Sequence, residues 1–248
     1  MKNLHGQVAV VTGAGGGIGS AISRRLADAG VRVVLTYSRS AEKTQAVADG
    51  LAGEDHAVVC CPVDDSGAQA ELARMIAERY GRLDLLVNNA GITRPVPHDD
   101  LAGLDDALFD EIFRVNVRGA FASIRALKDL LQADDGGLIV SISSIAARTG
   151  IGSNVAYCAS KAALDSMTRS LARALAPKIR VVSVAPGFVN GEYAQRLSAA
   201  VLDEQRAKTP LQRLAEAQDV AEAVYAVAAH LTFSTGDIIP VDGGRPLL

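Results

Sequence analysis

Residues 7–19 read Gln7-Val8-Ala9-Val10-Val11-Thr12-Gly13-Ala14-Gly15-Gly16-Gly17-Ile18-Gly19. The apolar run over 7–12 predicts a strand buried on both faces. The glycines predict a tight turn. Ile18, Ala21, Ile22 and Leu26 then recur at helical spacing, so a helix is expected over 17–29, with Gly30 ending it. A strand, a glycine turn and a helix in that order bring free backbone N–H groups and a positive helix end to one point. That point suits an anion such as a dinucleotide pyrophosphate. Without Cβ atoms at Gly13, Gly15, Gly16, Gly17 and Gly19 the backbone can approach phosphates closely, with Ile18 beside them. The spacing is Gly-x-x-x-Gly-x-Gly through Gly13, Gly17 and Gly19, and no lysine follows Gly19, which excludes a P-loop. A merely flexible turn is the plainer alternative.

The rest of the chain repeats this alternation. Apolar runs predict further strands over 31–37, 56–63, 83–87, 138–142, 179–184 and 237–241. Helical patterns lie over 41–51, 66–80, 104–131 with a break near Gly119, 154–175, 192–208 and 217–229. The expected fold is therefore α/β: a single doubly wound Rossmann-type domain over 1–248, with a parallel sheet of about seven strands and helices on both faces. Such sheets bind ligands beyond the carboxyl ends of their strands, where strand order reverses.

Composition narrows the function. With 49% hydrophobic and 21% charged residues over 248 positions, the chain can fill one large core. A net charge of −3 offers no electrostatic footprint for nucleic acid or an anionic membrane. Cys60, Cys61 and Cys158 have no metal-ligand spacing, and the four histidines are scattered, so no metal is expected. No stretch reaches the 18 or so apolar residues that cross a bilayer. The run after Gly6 is too short for a secretory signal. A cytoplasmic protein is the expectation.

The second strand ends in Thr36-Tyr37-Ser38-Arg39-Ser40. An acidic residue there would hold a ribose 2′-hydroxyl and disfavour a 2′-phosphate. Tyr37, Ser38, Arg39 and Ser40 instead offer hydroxyls and a guanidinium suited to a phosphate, so NADP(H) is preferred over NAD(H). A solvated Arg39 is the plainer alternative.

Residues 138–161 supply the reactive groups. Ser144 follows the strand, Asn154 can cap the next helix, and Tyr157 and Lys161 are four apart on one face of it. A phenol has a pKa of about 10, and a nearby cation favours the phenolate. A shift of roughly three units needs about 4 kcal/mol, much of which one ammonium in a desolvated cleft could supply.

Together these residues resemble the short-chain dehydrogenase/reductase family. The matches are Thr12-Gly13-x-x-x-Gly17-x-Gly19, Asn88-Asn89-Ala90-Gly91, Asn116 in Val-Asn-Val, Ser144, Tyr157-x-x-x-Lys161, Pro186-Gly187 and Val241-Asp242-Gly243-Gly244. They run in order along nearly the whole chain. The resemblance implies a tetrad in which Tyr157 exchanges a proton with the substrate oxygen and Ser144 hydrogen-bonds that oxygen. Lys161 would hold the nicotinamide ribose and lower the phenol's pKa, and Asn116 would position a relay water. It further implies that Asn89, Ala90 and Gly91 line the adenosine ribose and that Pro186, Gly187 and Val189 border the nicotinamide carboxamide. Val63 and Asp64 would reach the adenine, although an ungapped register puts Pro62 where the family carries its aspartate. Gly191 stands where the family often has a cofactor-touching threonine.

Gly91-Ile92-Thr93-Arg94 and the end of the second strand look most like the 3-oxoacyl-(acyl-carrier-protein) reductases. Those enzymes dock an acidic carrier through basic residues, yet here the corresponding regions offer Asp134-Asp135 and only Lys178 and Arg180. The implied activity is NADPH-dependent reduction of a carbonyl, a 3-oxoacyl thioester or related ketone. An alcohol, sugar or polyol dehydrogenase using the same residues is the alternative, and a non-catalytic cofactor sensor is a third. A small-molecule carbonyl or alcohol is the expected partner, with neither nucleic acid nor membrane. Residues 188–210 would form a substrate lid, and the family implies a homotetramer or homodimer.

Overall fold

A computed structural model describes residues 2–133, 135–191 and 194–247. Strands β1 (Val8–Thr12), β2 (Arg32–Tyr37), β3 (Ala57–Cys60), β4 (Leu85–Asn88), β5 (Gly137–Ile142), β6 (Ile179–Pro186) and β7 (Ile238–Val241) form one parallel sheet ordered β3-β2-β1-β4-β5-β6-β7. The chain winds outward from β1 to β3, crosses back to β4 and winds the other way. β1 and β4 are therefore the neighbours whose crossovers diverge, and the crevice beyond their carboxyl ends is the ligand position of such sheets.

Alternate strand residues feed two cores. On one face Ala9, Val11, Val87, Val140 and Val184 pack under Ile22 and Leu26 of α1 (Gly17–Asp28) and Val220 and Val224 of α9 (Ala217–Ala229). On the other, Val10, Leu86, Ile139 and Val181 meet Leu72 and Ile76 of α3 (Ser66–Tyr80) and Ile124, Leu127 and Leu131 of α5 (Ala120–Gln132). Burial on both faces explains why the strands read as continuous apolar runs. The remaining helices are α2 (Ala41–Asp49), α4 (Asp106–Phe113), the short α6 (Ala146–Thr149), α7 (Val155–Leu175) and α8 (Ala199–Ala207).

Four elements depart from expectation. The third strand covers only Ala57–Cys60: its one neighbour, β2, ends at Tyr37, where Cys61 N–H makes the last bond between them, to Tyr37 O at 2.8 Å. Cys60 is exposed and Cys61 buried, as adjacent strand-end residues should be. The long helix over 104–131 starts at Asp106 and is divided by a π-helical turn at Arg114–Gly119. The loop after β5 holds the extra helix α6. In the stretch over 192–208, Glu192 and Tyr193 lie outside the described residues. Beyond them a 3₁₀ turn at Ala194–Arg196 precedes α8, which Ser198 starts afresh by accepting a hydrogen bond from Val201 N–H.

Ile139, in the centre of β5, is wholly buried. Ile139→Ala should lower unfolding free energy by about 2–5 kcal/mol, read as a lower urea midpoint with an unchanged slope.

Candidate active site at the strand switch point

Three loops meet beyond β1 and β4. The glycine turn is held against the β4 end by one hydroxyl: Thr12 Oγ1 accepts from the N–H groups of Asn89 and Ala90, each at 3.0 Å, and donates to Val87 O at 3.2 Å. The Asn89 side chain donates to Thr12 O (2.9 Å) and Gly13 O (3.1 Å), so its amide braces the turn. Gly13 has φ +64°, and a Cβ on Gly19 would lie 2.4 Å from Gly13 O and 2.6 Å from Asn89 Nδ2. Gly15 is equally constrained, since its Cβ would meet Thr44 Oγ1 at 2.4 Å. Around Gly16 and Gly17 the space is open, and helix α1 begins there with its unpaired N–H groups. The turn thus combines an enforced backbone path with an accessible anion-binding helix end, as a pyrophosphate needs.

Ala14 N–H donates to Thr36 O at 3.0 Å and carries the turn to the end of β2. Tyr37 is half-buried there, and Ser38, Arg39 and Ser40 are exposed. Among the described residues no side chain pairs with the Arg39 guanidinium. Val63 is buried against Gly119, where a Cβ would come within 2.6 Å of Val63 Cγ2, so the glycine lets the π-helical turn pass close. Asp64 is already engaged in an ion pair with Arg114, which competes with the adenine contact the resemblance implies. Asp65 caps α3 instead, accepting from the N–H groups of Gly67 (2.8 Å) and Ala68 (3.1 Å).

The reactive groups converge next to this turn. Asn154 caps α7 by accepting from Tyr157 N–H at 2.7 Å. Tyr157 is half-buried, and Ser144 at the end of β5 acts on its phenol to favour the ionised form. Lys161, one turn on, is 5% exposed; its Nζ donates to Ile142 O at 2.7 Å and lies 5.6 Å from the Tyr157 ring centroid. Asn116, in the π-helical turn, is 1% exposed. Its Oδ1 accepts from Ile92 N–H (2.8 Å), and its Nδ2 donates to Ile92 O and Ser160 Oγ, each at 3.1 Å. A Cβ on Gly91 would fall 3.2 Å from Asn116 Oδ1 and 3.8 Å from Lys161 Nζ, so Gly91, Asn116 and Lys161 share one pocket floor. π-helical turns recur at functional sites because the extra residue redirects a side chain, here that of Asn116.

Electrostatics separates the two titrating groups. Burial pushes the Tyr157 phenol up, and its hydrogen bond with Ser144 pulls it partly back. Burial draws the Lys161 ammonium down to about 8, against the opposing field of Asp165. The resemblance implies a phenol lowered by Lys161; burial acts in the opposite direction here, and Lys161 Nζ is directed at a carbonyl.

Pro186 closes the pocket from the β6 side, its carbonyl accepting from Ile145 N–H at 3.0 Å. Gly187 packs on Asp242, where a Cβ would meet Asp242 Cα at 2.9 Å. Val189 bridges to Ala215, and Asn190 N–H donates to Ala215 O at 2.8 Å. Helix α8 beyond them buries no residue; Arg245 holds it by donating to Gln205 O at 2.9 Å and to the Gln205 side chain. On the opposite wall, Val96 N–H donates to Ser153 O and Asn154 Nδ2 to Arg94 O, both at 2.8 Å, which stitches the loop after β4 to the start of α7. Sequence reading passed over Thr12 and Ser160 as site residues. Their partners are 75–78 and 44 positions away, and only the strand order joins them.

Comparison with known proteins agrees with this geometry. Residues 13–245 match the family described as Enoyl-(Acyl carrier protein) reductase. A protein assigned as ketoacyl reductase 2 of the granaticin polyketide synthase in Streptomyces violaceoruber is 38% identical over 243 residues, 97% of this chain and 96% of that one. The 3-oxoacyl-(acyl-carrier-protein) reductase of Escherichia coli K12 is 35% identical over 98% of both chains. The crystal structure of a short-chain dehydrogenase/reductase from Brucella melitensis, titled a glucose/ribitol dehydrogenase, superposes with a TM-score of 0.91 at 32% identity over 99% of both chains. The chain belongs to the short-chain dehydrogenase/reductase family and is an NAD(P)-dependent oxidoreductase.

Proposed function

We propose that the enzyme uses NADPH to reduce a carbonyl, a 3-oxoacyl thioester or related ketone, with Tyr157 as the proton donor. The observation that carries this reading is Tyr157 on one helix face with the buried Lys161, whose Nζ lies 5.6 Å from the Tyr157 ring centroid, beside the buried Asn116 and with Ser144 acting on the phenol. The glycine turn and the N-terminus of α1 would hold the pyrophosphate, Arg39 with Tyr37, Ser38 and Ser40 the 2′-phosphate, and Lys161 the nicotinamide ribose. When bound, the nicotinamide supplies the hydride. Ser144 and Tyr157 then hydrogen-bond the carbonyl oxygen as it gains negative charge, and Tyr157 gives up its phenolic proton. A neutral phenol is the form this step requires, and burial favours it. Asn116 fixes the floor of the pocket through Ile92 and Ser160. Residues 188–210 act as the substrate lid of a single domain.

Charge argues for a substrate presented free or on coenzyme A. Asp135 is exposed beside β5, and Asp134 lies outside the described residues. Arg180 is spent on the carbonyls of Leu231 (2.9 Å), Ser234 (3.0 Å) and Val227 (3.1 Å), so its guanidinium is not offered to an acidic carrier. Lys178 is exposed there as well, and the carboxylate of Asp135 is the like charge that opposes such docking. The likeness to a protein titled glucose/ribitol dehydrogenase favours the second reading, oxidation of an alcohol, sugar or polyol by the same residues. Comparing kcat/KM in both directions separates the two. No helix among the described residues is long and apolar enough to cross a membrane. We place the enzyme in the cytoplasm as a homotetramer or homodimer, a reading supported by the part-exposed Phe109 and Phe121 on α4 and α5.

Tyr157→Phe keeps the ring and deletes the proton. It should cut kcat by roughly 10²–10⁴-fold and leave NADPH affinity, read by fluorescence titration, within a few-fold; near-normal kcat would remove Tyr157 from its role.

Arg39→Ala should lower kcat/KM for NADPH by about 10–100-fold, as loss of a charged hydrogen bond does, with little change for NADH. An equal loss with both cofactors would contradict the assignment of Arg39 to a 2′-phosphate.

A further inference from the structure

Asp165 has no place in the site as described, yet it is as deeply buried as the groups that do. It is 8% exposed on α7, four residues after Lys161 and eight after Tyr157, so the three side chains share one helix face. A buried carboxylate is costly unless it is paired or hydrogen-bonded. Here the hydroxyl of Ser143 donates to Lys161 O at 3.4 Å and, facing the Asp165 carboxylate, favours its ionised form. One carboxylate oxygen, Oδ1, is buried without a hydrogen-bond partner among the described residues. If the position served packing alone, an aliphatic side chain would fill it at no desolvation cost. Helix packing therefore does not account for a carboxylate there.

Lys161 has the complementary problem. Its ammonium carries three donors, and one of them is satisfied by Ile142 O. Among the described residues, the groups around it are Tyr157 and Asp165 from its own helix, the Ile142 carbonyl at the end of β5, and Gly91 with the Asn116 amide of the π-helical turn; the Ser143 hydroxyl meets the Lys161 backbone carbonyl. Asp165 is the charged group whose field raises the Lys161 pKa, against a burial that takes it to about 8. Facing Asp165 are Lys161, Ser143 and Arg169, and all three favour its ionised form against its own burial.

We propose that Asp165 is a positioning residue of this active site, a buried counter-charge that keeps the Lys161 side chain an ammonium inside the protein. The inference rests on the reading of Lys161 as the cation that serves Tyr157 and the nicotinamide ribose. Without the carboxylate, a lysine in this pocket would lose its proton within the working pH range, and the phenol would lose its neighbouring positive charge. An amide in place of Asp165 retains the volume and a hydrogen-bonding oxygen for Ser143, and removes only the charge.

The test follows Lys161 directly. Lysine labelled with carbon-13 at Cε reports its own titration by NMR, with the resonance assigned by its disappearance in Lys161→Arg. In Asp165→Asn the Lys161 pKa should fall by about one unit, and Asp165→Glu should retain most of the wild-type value. The alkaline limb of the kcat/KM profile should move down by a similar amount in Asp165→Asn, a change that simple loss of packing would not produce. An Asp165→Asn protein that is folded by circular dichroism and shows an unmoved Lys161 titration overturns the proposal. Should that variant not fold, the Asp165 carboxyl carbon in the wild-type protein decides: ionised at neutral pH supports the pair, protonated overturns it. A Lys161 shift in a protein that reduces no carbonyl with either cofactor would leave the pairing standing and remove the proposed reaction.

Discussion

One shared hydroxyl joins the two halves of the molecule at the place where its chemistry sits. Thr12 Oγ1 ends β1 and accepts from the two N–H groups that begin the loop after β4, at 3.0 Å each. β1 and β4 are neighbours in the sheet but 75 residues or more apart in sequence at this contact, and their crossovers lead in opposite directions. Without this tie, two loops would leave the sheet independently and the crevice between them would have no fixed width. With it, Asn89 is free to brace Gly13, and Gly13 is in turn too close to Gly19 for a side chain at the latter. The glycine turn and the loop after β4 are therefore parts of one hydrogen-bonded unit.

The rest of the site can be understood as the management of desolvation. Tyr157, Lys161 and Asp165 line one face of α7 and are all drawn toward their neutral forms by burial. For a proton donor that direction is useful, since a phenol held above its ordinary range keeps its proton until the carbonyl oxygen acquires charge. For a cation it is a liability, which one carbonyl contact does not relieve. The helix sets the three groups in line: Lys161 lies four residues after Tyr157 and Asp165 four after Lys161, so each stands one turn from the next, as the proposed roles require. Ser144 and Ser143, consecutive at the end of β5, serve the first and third of these residues respectively. A single strand end thus supports both ends of the stripe.

Much of this was legible from local pattern. The continuous apolar strands, the glycine turn and the capping Asn154 each depend on near neighbours in sequence, and the structure places them where the pattern does. What could not be read depends on distant partners or on backbone geometry with no side-chain signature. β3 is short because its neighbour β2 ends at Tyr37, and the engagement of Asp64 by Arg114 links positions 50 apart that no periodicity connects. The π-helical turn at Arg114–Gly119 left only a glycine near a helix break as its trace. Its cause is packing: Gly119 must pass Val63 with no Cβ between them. Asp165 is illegible for the opposite reason, because a carboxylate at the eleventh residue of a helix reads as an ordinary exposed charge until burial is known.

Arg180 shows how the same residue type can carry opposite functional meanings. In sequence it is one of two basic residues where a carrier-docking surface would lie. In the fold its guanidinium reaches three carbonyls at the end of α9 and in the turn before β7, and burial lowers its pKa. Guanidinium donors committed to carbonyls are satisfied hydrogen bonds, and removing them to meet a carrier would leave buried acceptors unpaired. The exposed charge nearby is mixed: Asp129, almost fully solvated near the end of α5, lies 3.6 Å from Lys128, while Asp135 is exposed before β5 and Lys178 before β6. These charges and Arg180 stand at the amino ends of β5 and β6, the end of the sheet opposite the crevice beyond β1 and β4. The guanidinium that the local sequence offers to a partner is therefore committed to holding the fold together at the far end of the sheet.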